Sequence, residues 1–268
     1  MKILGILNIT EDSFSDGGKY LEPQAALAHA RELAKDADIL DIGAASSNPD
    51  SAGVASETEI ARLATVVSIL QQERIALSVD TFSIEVQRWA LRHNVEYLND
   101  IHGFPDAALY PELAASRAKL IVMHSVQEEG RATRIDVPPS GILDRIRRFF
   151  DARLAALTKA GVGRDRLILD PGMGFFLGTD PETSFAVLRV LPVLKSTFGL
   201  PLLVSVSRKS FLRQVTGRPP QEAGPASLAA ELFAALKGAD LIRTHDPKAL
   251  RDGMAIWREL AATSRNSP

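Results

Sequence analysis

The 268-residue chain contains no cysteine. That excludes thiol catalysis, thiolate metal sites and a disulfide framework. It also has no surplus of either charge, with 31 lysines and arginines against 33 aspartates and glutamates. No basic stripe or tail suggests nucleic acid or an anionic membrane as partner. No apolar run approaches the ~20 residues of a membrane helix. The opening Met1–Leu7 stretch soon meets Asn8, Glu11 and Asp12. It is too short for a signal-peptide core and has no small-residue cleavage site, so a cytoplasmic place is the simplest expectation. Aromatic residues are scarce, and Trp89 and Trp257 fall on helical patterns where packing is the expected role. Three chemical signatures are missing as well. No glycine fingerprint follows the first strand, which argues against a doubly wound dinucleotide fold. No His-x-His suggests a zinc hydrolase. No Gly-x-Ser-x-Gly elbow appears.

What is present is alternation. Short runs rich in Ile, Leu and Val occur at 3–9, 38–43, 76–80, 95–100, 119–124, 166–172, 201–207 and 240–245. Several are apolar on both faces, the pattern of buried parallel strands. Helical patterns lie between most of them, at 23–36, 56–71, 83–93, 142–160, 182–198 and 225–237, with 249–262 closing the chain. Strands three to five are close together, so helices three and four must be short. Eight strands alternating with about eight helices predict an α/β fold, a closed (β/α)8 TIM barrel in a single domain over 1–262, with a disordered tail at 263–268.

The runs share a second feature. Each ends in polar groups: Asn8, Asp41, Asp80, Asn99 with Asp100, His124, Asp170, the Ser207-Arg208-Lys209-Ser210 cluster, and Arg243 with His245. In a barrel all these ends converge on one face, where active sites are built. One Asp after a strand is an ordinary cap or turn former. Eight polar ends on otherwise apolar strands need another reason, because partly desolvated ionised groups cost several kcal/mol unless they meet partners or a ligand. Asp80, Asn99 and Asp170 suit the donor-rich edge of a heterocycle. Lys209, Arg243 and His245 suit phosphate oxygens as cations. Such a face would bind a flat polar ring carrying a phosphorylated arm. Asp100 is expected only to cap a helix, and His29 and His93 to lie on helix surfaces.

Gly5-Ile-Leu-Asn-Ile-Thr10 with Asp12-Ser-Phe-Ser-Asp-Gly-Gly18, Asp38-Ile-Leu-Asp-Ile-Gly43, Ser78-Val-Asp-Thr81, Leu98-Asn-Asp-Ile101, Asp170-Pro-Gly-x-Gly-Phe175, Ser207-Arg-Lys-Ser210 and Arg243-Thr-His245 follow one another along nearly the whole chain. This ordered set resembles the dihydropteroate synthases. The resemblance implies condensation of 6-hydroxymethyl-7,8-dihydropterin pyrophosphate with para-aminobenzoate in folate biosynthesis. It implies a pterin site of Asp41, Asp80, Asn99, Met123, Asp170 and Lys209. Pyrophosphate would be held by Asn8, Arg243 and His245, with Mg2+ on Asn8, and para-aminobenzoate would lie by Phe175, Ser207, Arg208 and Ser210. Asp80, Asp170, Lys209 and Arg243 would carry the chemistry. A homodimer is implied, with Leu228, Leu232, Leu236 and Ile256 as a possible face, and closure of the 12–18 loop over the site is a further expectation. A pterin-dependent methyltransferase and a non-catalytic pterin-binding protein are the alternative readings.

The chain also departs from the family pattern. The loop after strand two reads Ala44-Ala-Ser-Ser-Asn-Pro-Asp50 where Glu-Ser-Thr-Arg-Pro-Gly is usual. Ser47, Asn48 and Pro49 then stand on the aminobenzoate side without the usual cation. After Asp170-Pro-Gly the chain reads Gly174-Phe175-Phe176-Leu177 rather than Gly-Phe-Gly-Lys, and strand five ends Met123-His124-Ser125. With Phe104-Pro105-Asp106, this pattern resembles the sulfonamide-insensitive, mobile-element-borne branch. Bulk from Phe176 beside the aminobenzoate would exclude a larger mimic while leaving room for the acid.

Overall fold

The computed structural model describes residues 1–10, 22–46, 53–127 and 130–263. Eight parallel strands run β1 Lys2–Asn8, β2 Ile39–Gly43, β3 Leu77–Asp80, β4 Tyr97–Asp100, β5 Lys119–Met123, β6 Leu167–Asp170, β7 Leu203–Val204 and β8 Leu241–Thr244. Their order is β6-β5-β4-β3-β2-β1-β8-β7. The Leu169–Leu202 bridge joins the two edges and completes the barrel. The helices are α1 Pro23–Leu33, α2 Ser56–Gln72, α3 Ile84–Arg92, α4 Tyr110–Ala115, α5 Ile142–Lys159, α6 Pro181–Arg189, α7 Leu191–Phe198, α8 Ser210–Thr216, α9 Gly224–Leu236 and α10 Pro247–Thr263. The barrel and the short third and fourth helices agree with the sequence expectation. The tail 264–268 and the loops at 11–21 and 47–52 lie outside the described residues, and with them the expectations for 12–18, Ser47, Asn48 and Pro49.

Two element expectations need correction. The helix expected over 182–198 is two helices. Pro192 has no amide hydrogen for a continuing ladder, and the chain turns at Val190, φ −104° and ψ 10°, before α7 begins. Strand seven is far shorter than the 201–207 run. The helices that do form have ordinary causes. Ser83 caps α3 by accepting from the Val86 amide at 3.4 Å, and Asp180 caps α6 ahead of Pro181.

Strand side chains alternate between two layers. Outward residues such as Leu7, Leu40, Ile42, Val79, Leu98, Leu120, Leu169 and Val204 join the helices in the main core. Inward residues Leu4, Ile39, Tyr97, Ile121, Ile168, Leu203 and Leu241 form a smaller apolar plug low in the barrel. Two residues further along the same strands the inward positions are Asp41, Asn99, Met123, Asp170 and Arg243. The apolar plug therefore closes the barrel beneath a polar layer and fixes where the mouth begins.

Candidate active site

Burial and pairing distinguish this polar layer. Asp41 is fully buried, and Asp80 is partly buried with 20% of its side chain exposed. Arg243 bridges them, its Nε donating to Asp41 Oδ2 and its Nη2 to Asp80 Oδ2 at 2.7 Å. Asn99 Nδ2 donates to the same Asp41 oxygen at 3.2 Å. Among the described residues, Asp41 Oδ1, Asn99 Oδ1 and Ser78 Oγ are buried without a partner. A completed structural network would not leave three such acceptors, since each unpaired buried polar group costs about 1–3 kcal/mol. Asp170 accepts from the Gly172 amide at 2.8 Å. Gly172 has φ +75°, and a Cβ there would lie 2.4 Å from the His124 carbonyl oxygen, so no other residue fits this turn.

Burial moves the charges. It raises Asp80 to about 7, against the opposing pull of Arg243. It raises Asp170 to about 6, against the Gly172 amide and Lys209. It lowers Lys209 to about 8, helped by Arg243 and opposed by Asp170 and Asp80. Burial also holds His245 well below the ordinary imidazole range, with Arg208, Arg243 and Lys209 acting in the same sense. His245 is therefore neutral near pH 7, which corrects the expectation that it serves as a cation in the free protein. Its Nδ1 lies 3.0 Å from Ser207 Oγ, and its backbone amide donates to the same oxygen at 3.2 Å. Ser207 is thus turned to His245.

The third part of the site is apolar. Met123, Ile101, Ala132 and Phe176 pack together, with half-buried Phe175 against them. The Lys209 ammonium lies 4.8 Å from the centre of the Phe176 ring, and the Arg134 guanidinium 5.5 Å from that of Phe175. Gln127 Nε2 donates to the carbonyls of Thr133 at 3.1 Å and Phe175 at 3.0 Å, tying the two loops together. Arg208 has φ +57°, and its amide is held by Ser227 Oγ at 2.9 Å. The helix that begins at Ser210 has only seven residues, so the carboxylate expected by Arg208 and Ser210 would meet those side chains rather than a helix dipole.

Sequence reasoning missed several residues. Asp100 caps no helix. It accepts from the amides of His102 and Phe104, both at 2.9 Å, and from Gln87 Nε2 at 3.0 Å, holding Phe104 at φ +62°. Trp257 is 39 % exposed rather than packed. Glu231 is buried beneath Ser207; the signal was a lone acid in the apolar Leu228-Ala-Ala-Glu-Leu-Phe-Ala234 stretch.

Residues 4–245 match the family described as pterin binding enzyme. A dihydropteroate synthase type-2 from Escherichia coli is 59% identical over 264 residues, covering 98% of this chain and 97% of its own. A type-1 enzyme from the same organism is 51% identical, covering 97% and 94%. The chain belongs to the dihydropteroate synthase family. The solved dihydropteroate synthase of Yersinia pestis, in a sulfonamide drug complex, superposes with a TM-score of 0.89 at 33% identity, covering 97% of this chain and 94% of that one. As a dihydropteroate synthase the chain is a transferase of folate biosynthesis. It condenses 6-hydroxymethyl-7,8-dihydropterin pyrophosphate with para-aminobenzoate and releases pyrophosphate. The methyltransferase and binding-protein alternatives give way to this assignment. Among the described residues no helix is long and apolar enough to cross a membrane.

Proposed function

We propose that the polar layer binds the dihydropterin ring and that the β1, β7 and β8 ends hold its pyrophosphate arm. The supporting observation is the set of unpartnered buried acceptors, Asp41 Oδ1 and Asn99 Oδ1, beside Asp80 and Asp170. A ring edge with adjacent N–H and amino groups satisfies such acceptors and draws the raised carboxyls into their charged form. Met123 packs on the ring, and Lys209 donates to it from the Phe176 side. Arg243 keeps Asp41 and Asp80 in place through Nε and Nη2 and turns the rest of its fork to phosphate oxygen. His245 adds a donor from Nε2.

Asn8 stands at the end of β1. Its Oδ1 is 3.7 Å from where a Cβ of residue 43 would sit, so Gly43 leaves the space before it open. Among the described residues no cluster of three or more His, Asp or Glu could hold a metal alone. One neutral oxygen fits Mg2+, which keeps its waters and takes phosphate oxygens as further ligands. Bound there, Mg2+ would neutralise charge on the pyrophosphate. The chain's own residues do the rest by placement and field. Asp80 and Asp170, ionised under the ring, favour the cation that develops as the C–O bond to pyrophosphate breaks. Arg243 and His245 receive the leaving anion. The aniline nitrogen is already neutral and attacks without prior deprotonation; the proton it sheds after the C–N bond forms passes to the released pyrophosphate or to water. Arg208 and Ser210 face the carboxylate of para-aminobenzoate and Phe175 lies against its ring; Ser47, Asn48 and Pro49 are assigned to this substrate by the family pattern alone.

Pyrophosphate release should require para-aminobenzoate. Release without it, or none despite pterin binding, would overturn these roles. Sulfonamide insensitivity belongs to the same reading. Phe176 lies against Lys209 and Phe175 against Arg134, and this bulk would crowd a substituent larger than carboxylate. Sulfamethoxazole should inhibit at least roughly tenfold more weakly than it inhibits a family member with Gly-Phe-Gly-Lys in this loop. Equal inhibition would refute the crowding. A homodimer is proposed through α9 and α10, where Leu236 and Ile256 are exposed, whereas Leu228 and Leu232 pack beside Gly253 within the chain. Sedimentation at micromolar concentration tests it.

A further inference from the structure

Helix α9 turns one face toward the anion side of the site. Ser227 and Glu231 stand one turn apart on it and both are buried. Ser227 Oγ donates to the Ala223 carbonyl at 2.7 Å and accepts the Arg208 amide at 2.9 Å. Glu231 is 2% exposed, and its carboxyl faces the hydroxyls of Ser207 and Thr244, with Oε1 left unpartnered. Ser207 Oγ in turn lies 3.0 Å from His245 Nδ1. A line of polar groups therefore runs from the helix layer to the barrel mouth. A carboxyl buried in an apolar helix face is costly, and no step described above uses it.

We infer that Glu231 is a positioning residue for His245, acting through Ser207 to turn Nε2–H toward pyrophosphate and to pass the imidazole a second proton as the leaving group gathers charge. The inference rests on the placement of His245 at the pyrophosphate. At the start Glu231 is protonated and donates to Ser207 Oγ, the Ser207 hydroxyl donates to Nδ1, and the imidazole hydrogen is on Nε2. As the C–O bond to pyrophosphate breaks, the Glu231 O–H bond breaks and its proton joins Ser207 Oγ. The original Ser207 proton moves to Nδ1. Serine remains a hydroxyl, Glu231 becomes a carboxylate and His245 an imidazolium. No proton is exchanged with water. Throughout, the His245 amide occupies one lone pair of Ser207 Oγ, leaving one for this exchange.

The surroundings suit the shift. Burial raises Glu231 to about 7, with Asp246 acting in the same sense and Thr244, Ser207 and Arg208 against it, so a proton is at hand near neutrality. Burial keeps His245 neutral until an anion arrives, and the cations Arg208, Arg243 and Lys209 that face it act in the same sense.

The test is 15N-histidine NMR on the full chain at pH 7, with and without inorganic pyrophosphate and Mg2+. The signals of His245 are assigned by H245Q among the five histidines. In the unsubstituted protein His245 should be neutral with hydrogen on Nε2, and doubly protonated once pyrophosphate binds. In E231Q, whose amide can donate but cannot release a proton, it should stay neutral with pyrophosphate bound. Turnover of E231Q should fall roughly 10- to 100-fold in kcat, with KM for both substrates within about twofold, and the kcat profile should lose its step near pH 7. If E231Q fails to fold, S207A cuts the same line and should also leave His245 neutral. Equal protonation in substituted and unsubstituted proteins would overturn the role of Glu231 alone. No response of His245 to pyrophosphate in the unsubstituted protein would overturn its placement and the inference with it.

Discussion

The two ends of the barrel carry acidic residues at comparable positions and use them in opposite ways. At the bottom, where strands begin, Asp38, Glu96 and Asp240 are exposed or half-buried. Each accepts a backbone amide of a neighbouring strand: Ile3 at 2.7 Å, Leu77 at 3.1 Å and Leu202 at 2.9 Å. Asp240 also pairs with Lys195 at 2.7 Å, and Asp38 with Arg251 at 3.3 Å. At the mouth, Asp41 and Asp170 are buried and Asp80 is partly so; Arg243 bridges Asp41 and Asp80, and Asp41 Oδ1 meets nothing. The bottom carboxylates complete the strand register. Those at the mouth hold an incomplete charge pattern that a ligand completes, at a cost in stability met by the core around them.

The strongest way to break this comparison is to remove charge from the mouth. D80N should lower kcat roughly 10²–10³-fold, the size expected for losing one preorganised electrostatic contact. It should leave the melting temperature near that of the unsubstituted chain, because burial already disfavours the Asp80 charge. A loss of activity that merely tracked a loss of folded protein would place Asp80 among the structural acids instead. The reverse experiment is D240A. It leaves the Leu202 amide without its acceptor and Lys195 with the Gly238 carbonyl alone, and urea unfolding should report a loss of about 1–3 kcal/mol. Its kcat should remain within about twofold. A large fall in kcat with unchanged stability would erase the distinction between the ends.

The contrast was half legible in the sequence. Position along a strand announces itself, because apolar runs ending in polar or charged residues recur eight times, and parallel barrels gather those ends. Which acids are anchors and which are held for a ligand depends on pairing across strands. Asp38 and Asp41 differ by three residues in one run, yet only the fold shows that Asp38 accepts the Ile3 amide and Asp41 the Arg243 guanidinium, 202 residues away. In the sequence Arg243 reads as a phosphate cation. Its commitment to two carboxylates could not be seen without β8 lying next to β1. Glu231 was missed for a similar reason. Its helix reads as an apolar face with one acid, and only the turn at Arg208 brings that acid under Ser207. The break in the helix at Pro192 was visible in principle; helical periodicity on both sides concealed it.

The smallest effect separates the two ends by pH. A carboxyl whose pKa is raised on folding binds its proton more tightly in the folded chain. For Asp170, moved by burial from 3.8 to about 6, the folded chain carries more protons than the unfolded one between about pH 4 and 6. Stability from this group is therefore fully present at low pH, falls as pH rises through that window, and is level above it. D170N has no proton to lose, so its difference in stability from the unsubstituted chain should shift in its favour between pH 4.5 and 7.5. The shift should be on the order of 1–2 kcal/mol, or about 3–5 °C in melting temperature. His124 and His245 act oppositely in both proteins, since each is held neutral by burial and takes a proton more readily unfolded, and their contribution cancels in the difference. D240N at the bottom of the barrel should show no comparable shift. If it did, the asymmetry would belong to the chain's total charge rather than to the mouth.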